Sequence, residues 1–138
     1  MADDANAALE FLNNVIESCT EYSIVATDLD GTIVLWNEGA RRTFGYIPEE
    51  VVGNANFAVL HAPEDVSAGN PRRMMKAALT ERRWMGKLEC VRRNGERFTA
   101  FVVITPRIDS TESDAGYLII SNDISANSQV DEPMRPAT

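Results

Sequence analysis

The stretch YSIVATDLDGTIVLWNEGARRTFGYIPEEVVG, residues 22–53, decides the fold. Its segments 22–28 and 32–36 are rich in β-branched and aromatic residues, which favour β-strands. Asp30 and Gly31 lie between these segments and predict a two-residue hairpin turn, because glycine tolerates the positive φ of a tight turn. The stretch therefore begins as a β-hairpin.

A capped helix follows the hairpin directly. Asn37 stands at the position of a helix N-cap, and Gly45 is placed to end that helix in the left-handed conformation. Pro48 at a first helical position and Gly53 after the end predict a second short helix. Prolines further along predict a turn from residue 63 and a main helix over 71–82, with a further short turn over 56–60.

Three strands are predicted after these helices: 84–93, 96–108 and 115–124, with Asn94-Gly95 as a type I′ hairpin signal. Two strands, then helices, then three strands predict an α+β fold, with an antiparallel sheet covered by helices on one face. The strand 96–108 is apolar on both faces. A second apolar element is therefore expected to cover Phe101 and Val103 on its outer face.

An amphipathic helix is predicted over residues 5–20, because its apolar residues fall on one side at 100° per residue. Its apolar stripe either covers the sheet of the same chain or docks on a second subunit. Residues 1–21 are therefore assigned to this N-terminal helix and 22–125 to a single domain. Residues 126–138 contain two prolines without periodicity, which is typical of a linker or disordered tail leading to a further domain.

Composition limits the function classes. The 138 residues carry a net charge of −8, which repels a polyanion such as nucleic acid, and the arginine pairs are scattered along the chain. Cys19 and Cys90 lie far apart, and no metal-ligand spacing is found. The acidic start has no signal-peptide core, and no apolar run approaches the roughly 20 residues of a membrane span. A cytoplasmic location with reduced thiols is expected.

One stretch of the sequence resembles a catalytic motif. Asp28-Leu29-Asp30-Gly31-Thr32 after an apolar strand resembles the first motif of haloacid-dehalogenase phosphatases, in which the two aspartates act as nucleophile and acid/base. That superfamily also needs a lysine, a distal acidic pair for Mg²⁺ and parallel βαβ units. The antiparallel strands predicted over 84–124 favour a turn here, and no catalytic residue is assigned.

The order of motifs over residues 22–125 resembles a PAS domain, although each motif is weak alone. The motifs are Ala26–Ile33, Trp36–Ala40, Phe44-Gly45-Tyr46, Pro48–Gly53, His61–Asp65, Trp84–Leu88, Arg92–Glu96 and Ser121–Ser125. The resemblance implies a five-stranded antiparallel sheet cupping helices around an apolar cavity. It also implies a sensory, non-enzymatic role in which a ligand or partner event changes the sheet or a flanking helix and biases a fused output domain. Such domains accompany bacterial histidine kinases, serine phosphatases and anti-sigma regulators of stress responses. A homodimer is expected from the apolar stripe of the N-terminal helix and the outer face of the strand 96–108.

The resemblance also frames the question of a ligand. Haem-binding members place a histidine on the long helix, but residues 71–83 contain none, and His61 precedes that helix. Blue-light members carry a reactive cysteine where this chain reads Gly53-Asn54-Ala55-Asn56-Phe57. Haem and a covalent flavin are therefore not expected, and non-covalent FAD is disfavoured although Trp84 resembles a tryptophan of flavin-binding members.

Two alternatives remain for the interior: a filled core, in which the domain is a ligand-free dimerisation and relay module, or an apolar guest such as a long-chain fatty acid. A fatty acid would lie with its carboxylate near an arginine or free helix N–H groups at the cavity mouth. The residues expected to line such a cavity are Phe57, Leu60, Met74, Met75, Ala78, Leu79, Leu88, Cys90, Val102, Ile104 and Leu118. Those expected at a dimer interface are Leu9, Leu12, Ile16, Phe101 and Val103.

Overall fold

One antiparallel sheet of five strands, in the order β2-β1-β5-β4-β3, carries the helices on one face. The structure, a computed structural model, describes residues 2–125. The helices are α1 (Ala2–Ser18), α2 (Glu38–Phe44), α3 (Pro48–Val51), α4 (Pro63–Ser67) and α5 (Asn70–Glu81), with a 3₁₀ turn over Phe57–Leu60. The strands are β1 (Ser23–Asp28), β2 (Ile33–Trp36), β3 (Trp84–Val91), β4 (Arg97–Ile108) and β5 (Asp114–Asp123).

The predicted α+β class and antiparallel sheet are confirmed. Every pair of strands in the described sheet is antiparallel. The parallel βαβ units of a haloacid-dehalogenase phosphatase are therefore missing from the described part of the chain, and that alternative is wrong. Asp28 instead holds a turn, because its Oδ1 accepts hydrogen bonds from the N–H groups of Asp30 and Thr32 at 2.9 Å each.

The turn between β1 and β2 is a three-residue loop rather than the predicted two-residue turn. The N–H of Gly31 donates to the carbonyl of Asp28 at 3.0 Å, and the N–H of Asp28 donates to the carbonyl of Thr32 at 2.9 Å. This is the type I turn followed by a left-handed residue, and Gly31 takes that position with φ +93°.

The other two hairpins of the described sheet repeat this loop. Gly95 holds the left-handed position between β3 and β4 with φ +93°, so the predicted type I′ turn is wrong, since type I′ needs two successive residues of positive φ. Glu112 holds the same position between β4 and β5 with φ +63°. A side chain in that conformation costs about 1–2 kcal/mol relative to glycine.

The caps of α2 agree with the sequence. The Oδ1 of Asn37 accepts a hydrogen bond from the N–H of Ala40 at 2.8 Å. Gly45 ends the helix at φ +91°, and its N–H donates to the carbonyl of Arg41 at 2.8 Å. These caps set the direction in which α2 leaves the hairpin and bring Phe44 into the core.

The core lies between the sheet and the helices. The inner face of the sheet contributes alternate residues of each strand, as expected where one face is buried. The buried cluster consists of Val25, Ile33, Trp36, Ala40, Phe44, Val51, Phe57, Leu60, Met74, Ala78, Cys90, Phe98, Ala100, Val102, Ile104, Tyr117 and Ile119.

The repeated hairpin loop provides a matched pair of substitutions. Glu112→Gly is expected to raise the free energy of unfolding by about 0.5–1 kcal/mol, since it relieves the left-handed strain at some cost in chain entropy. Gly95→Ala introduces the same strain at the equivalent position and is expected to lower stability by about 1–2 kcal/mol, since no atom lies within 4 Å of the added Cβ. Urea unfolding monitored by tryptophan fluorescence measures both. A less stable Glu112→Gly protein would contradict this account of the loop.

Candidate functional site

Ten of the eleven residues predicted to line a cavity belong to one cluster. Seven are buried in the core: Phe57, Leu60, Met74, Ala78, Cys90, Val102 and Ile104. Three are partly buried and pack against that core: Met75, Leu79 and Leu88. The structure thus brings these ten side chains together in or against the core, and their role toward a ligand stays a prediction.

Leu118 is the exception, because it lies on the outer face of the sheet. It pairs with Ala26 on one side and Thr105 on the other. The side chains that β5 buries in the core are its neighbours Tyr117 and Ile119. Leu118 is therefore removed from the set of residues around the core.

The interior between sheet and helices is filled. An enclosed cavity of only about 10 Å³ lies beside Phe57, Leu60, Cys90 and Val102. That is room for roughly one water molecule, far below the several hundred Å³ of a typical ligand pocket. The predicted fatty acid therefore has no space in this core as it stands.

Two titratable groups border this small cavity. Burial lowers the pKa of His61, although the carbonyl of Phe57 and the nearby carboxylate of Asp65 act in the opposite direction. Burial also raises the pKa of the Cys90 thiol to about 12. Both groups are therefore neutral at pH 7, and Cys90 lacks the thiolate that redox or nucleophilic chemistry requires.

A larger groove of about 770 Å³ opens along α5, and we call it the α5 groove. Its wall includes the apolar side chains Leu29, Ala58, Val66, Pro71 and the predicted residues Phe57, Met75 and Leu79. Arg72 and Lys76 stand one turn apart on α5 and also line it, together with Asp30. Neither cation forms an ion pair or hydrogen bond with any described residue.

The apolar stripe of α1 is largely uncovered. Leu9, Phe11, Leu12 and Val15 are exposed to 59%, 66%, 53% and 47%, while Ile16 nearer its end is half-buried. The helix packs against α2 instead of lying along the sheet. Among residues 2–125, no apolar surface covers these four side chains.

The outer face of the sheet has an uncovered apolar surface as well. Phe101 and Val103 line a shallow groove of about 410 Å³ with Tyr22, Ile120 and Ile124, and we call it the outer groove. No residue of α1 lines it. The structure therefore separates the two halves of the predicted interface within one chain, so cover by α1 of the same chain, one of the two alternatives, is not found.

Asn37 joins α1 to the rest of the fold. Its amide Nδ2 donates to the carbonyls of Ile16 and Cys19 at 3.0 Å each and of Tyr22 at 3.2 Å. Its Oδ1 accepts from the N–H of Ile24 at 2.9 Å as well as from Ala40. The side chain is fully buried, so one amide connects the end of α1, the start of β1 and the first turn of α2.

Gly39 permits this close approach. A Cβ at this position would lie 1.9 Å from the carbonyl oxygen of Tyr22 and 2.9 Å from that of Cys19. The first turn of α2 therefore presses directly on the backbone that leads from α1 into β1.

Two features of the candidate site are not predicted by the sequence analysis. The N-cap role of Asn37 is visible in its position, but its three donated hydrogen bonds depend on where the backbone of residues 16–22 lies. Arg72 belongs to the arginine pairs that the sequence analysis describes as scattered, and Lys76 is assigned to no site there. Helical periodicity could have found them, because residues 72 and 76 are spaced i, i+4 and fall on the same side of the helix as Met75 and Leu79.

Comparison with known proteins agrees with this geometry. The family model described as "PAS domain" matches residues 21–126. The chain belongs to the PAS domain family, whose members are generally sensory modules without catalytic activity.

A curated relative and solved structures support the same assignment. The chain is 32% identical over 120 residues to "Two-component system protein A" of Emericella nidulans, covering 87% of this chain but only 17% of that protein. A PAS domain from Colwellia psychrerythraea superposes with a TM-score of 0.78 at 24% identity, over 86% of this chain and 98% of the other. The light-state dimer of the fungal blue-light photoreceptor Vivid gives 0.61 at 22% identity, over 75% and 78%.

Two further properties of the described residues bear on the class of site. No helix in residues 2–125 has the length and apolar character needed to cross a membrane. Within the same residues, no group of three or more histidine, cysteine, aspartate or glutamate side chains is arranged to hold a metal ion. The candidate surfaces for a partner or ligand are the apolar stripe of α1, the outer groove and the α5 groove.

Proposed function

We propose that this chain is a sensory relay module that forms a homodimer and passes a conformational signal to an attached signalling domain. The observation that carries the proposal is the uncovered stripe of Leu9, Phe11, Leu12 and Val15 on a helix anchored to the core by Asn37. A filled core favours relay over storage of a ligand within it.

A second copy of the chain is the occupant that fits the exposed surfaces best. The stripe of α1 and the outer groove are both apolar and lie on one molecule, so a two-fold axis pairs each helix with the groove of the other copy. The groove bears Phe101 and Val103 without any charged lining residue, so apolar side chains of α1 enter it without burying a charge. The dimeric form of Vivid, a protein of similar fold, supports this proposal.

The output domain is proposed to be of the two-component type. The support is the 32% identity to a protein named as a two-component system protein, of which this chain spans about one sixth. A histidine kinase output agrees best with that relative. A serine phosphatase or an anti-sigma regulator, a bacterial origin and a stress-response role stay predictions, and residues 126–138, the proposed linker, lie outside the described residues. The free thiols of Cys19 and Cys90 are compatible with the proposed cytoplasmic location.

Leu12→Glu is expected to convert the dimer to monomers, because it places a carboxylate in the centre of the apolar stripe. Asn13→Glu is the matched control, since it adds the same charge one residue further along, on the polar side of α1. Size-exclusion chromatography with light scattering measures the mass of all three proteins. A monomeric wild type, or a Leu12→Glu protein with the mass of the wild-type dimer, would remove the proposal.

The α5 groove favours a second function, the binding of an anionic amphiphile such as a long-chain fatty acid. Its volume of about 770 Å³ lies within the range of known ligand pockets. Its apolar wall suits an acyl chain, and Arg72 and Lys76 offer two unpaired positive charges to a carboxylate in a chain of net charge −8. The fatty acid is thus proposed for the groove rather than for the core.

Palmitate binding tests this second function. The double variant Arg72→Gln/Lys76→Gln is expected to bind palmitate about tenfold more weakly than wild type, since each exposed ion pair contributes up to about 1 kcal/mol. Lys87→Gln on the outer face of β3 is the control and removes a charge far from the groove. Isothermal titration calorimetry gives the affinities. No binding by wild type, or equal affinity in the double variant, would exclude the fatty-acid site.

A further inference from the structure

Two buried polar atoms in the interior of this domain have no hydrogen-bond partner. They are the Oγ of Ser23 and the Nε2 of His61. Ser23 is fully buried and His61 is only 4% exposed. A buried polar group without a partner is rare in folded proteins and costs free energy, so each such atom requires an explanation.

Both side chains border the same enclosed cavity. The cavity lies between the start of β1, the end of β5 and the loop that follows the 3₁₀ turn, and Ser23, His61, Cys90 and Ser121 all line it. Ser23 and Ser121 are direct register partners across β1 and β5. These four side chains therefore come from three strands of the sheet, β1, β3 and β5, and from one segment of the helical layer.

The hydrogen bonding of His61 defines what its free nitrogen can do. The Nδ1 atom lies 3.2 Å from the carbonyl oxygen of Phe57, which only accepts, so Nδ1 carries the proton and donates. The neutral ring then presents a lone pair at Nε2. The free atom on His61 is consequently an acceptor, while the hydroxyl of Ser23 is able both to donate and to accept.

We propose that this cavity is a site for one structural water molecule that bridges Nε2 of His61 and Oγ of Ser23. Its volume of about 10 Å³ matches a single water and excludes a larger guest. A water donates one proton to Nε2 and pairs with the Ser23 hydroxyl through its second proton or its oxygen. The site is independent of the dimer and of the α5 groove.

The bridge ties the helical layer to the point where the chain enters the sheet. Ser23 directly follows Tyr22, whose carbonyl accepts a hydrogen bond from Asn37. His61 lies in the segment between the 3₁₀ turn and α4, and its backbone forms an isolated β-bridge with Cys90. The water therefore connects the start of β1 to the His61 segment without any direct protein contact between the two polar side chains.

His61 is the only histidine in the chain, so its ring signals in NMR spectra are unambiguous. Magnetisation transfer from water to the ring protons of His61, with the sign of a long-lived bound water, is the expected result. Ser23→Ala should lower the melting temperature, because it removes one partner of the water. In a dry cavity the same substitution removes an unsatisfied hydroxyl and raises the melting temperature.

His61→Phe is the second variant and removes the acceptor, so the transfer from water to protons around the cavity should disappear. Ser18→Ala is the control for loss of a serine hydroxyl, since Ser18 is exposed on α1. Either the absence of water transfer to His61 in the wild type or a higher melting temperature for Ser23→Ala overturns the proposal.

Discussion

The buried amide of Asn37 is the interaction on which the rest of this structure depends. Without it, α1 would be held to the domain only weakly, since its apolar stripe is exposed and its main packing partner is α2. The amide satisfies carbonyls at the end of α1 that the helix itself leaves unpaired. It does so while also capping α2 and holding the first residues of β1.

In this arrangement α1 does not cover the sheet, and Asn37 attaches its C-terminal end to the rest of the fold. In the proposed dimer, a force that the second copy applies to α1 would act on the carbonyls of Ile16 and Cys19 and, through the side chain of Asn37, on both β1 and α2. Because β1 is an internal strand that pairs with the central strand β5, we expect a displacement of β1 to reach β5. Coupling between sites in proteins is typically about 1–3 kcal/mol, comparable with the loss of one or two of these hydrogen bonds.

The fold was largely predictable from sequence because its signals are local. Asn37 and Gly45 cap α2, glycines lie in the first two hairpin loops, and the order of strands and helices defines the class. The wrong predictions concern positions where the local sequence pattern fits more than one structure. Tyr117, Leu118, Ile119 and Ile120 are all apolar, so alternation does not tell which of them face the core. Loop length was misjudged because Asp-Gly and Asn-Gly fit both a two-residue turn and a three-residue loop ending in glycine.

The candidate surfaces were only partly predictable for a similar reason. Sequence indicates that α1 needs a partner, but whether the sheet of the same chain supplies it depends on the direction in which α1 leaves Asn37. The residues around the core were identified, whereas the absence of space among them follows from packing in three dimensions. The unpaired atoms of Ser23 and His61 come from distant segments, and no spacing in the sequence relates them.

Hydrogen–deuterium exchange of α1 in Asn37→Asp tests the central claim most directly. Aspartate keeps the acceptor oxygens that cap α2 and bind the N–H of Ile24, but it lacks the amide protons donated to residues 16–22. The account predicts that exchange in α1 accelerates by about tenfold, the equivalent of about 1.4 kcal/mol, while β3 and β4, which do not pair with β1, exchange at the wild-type rate. Asn37→Ser, which retains a capping oxygen on a shorter side chain, should show the same pattern. Unchanged exchange in α1 in both variants would contradict the account.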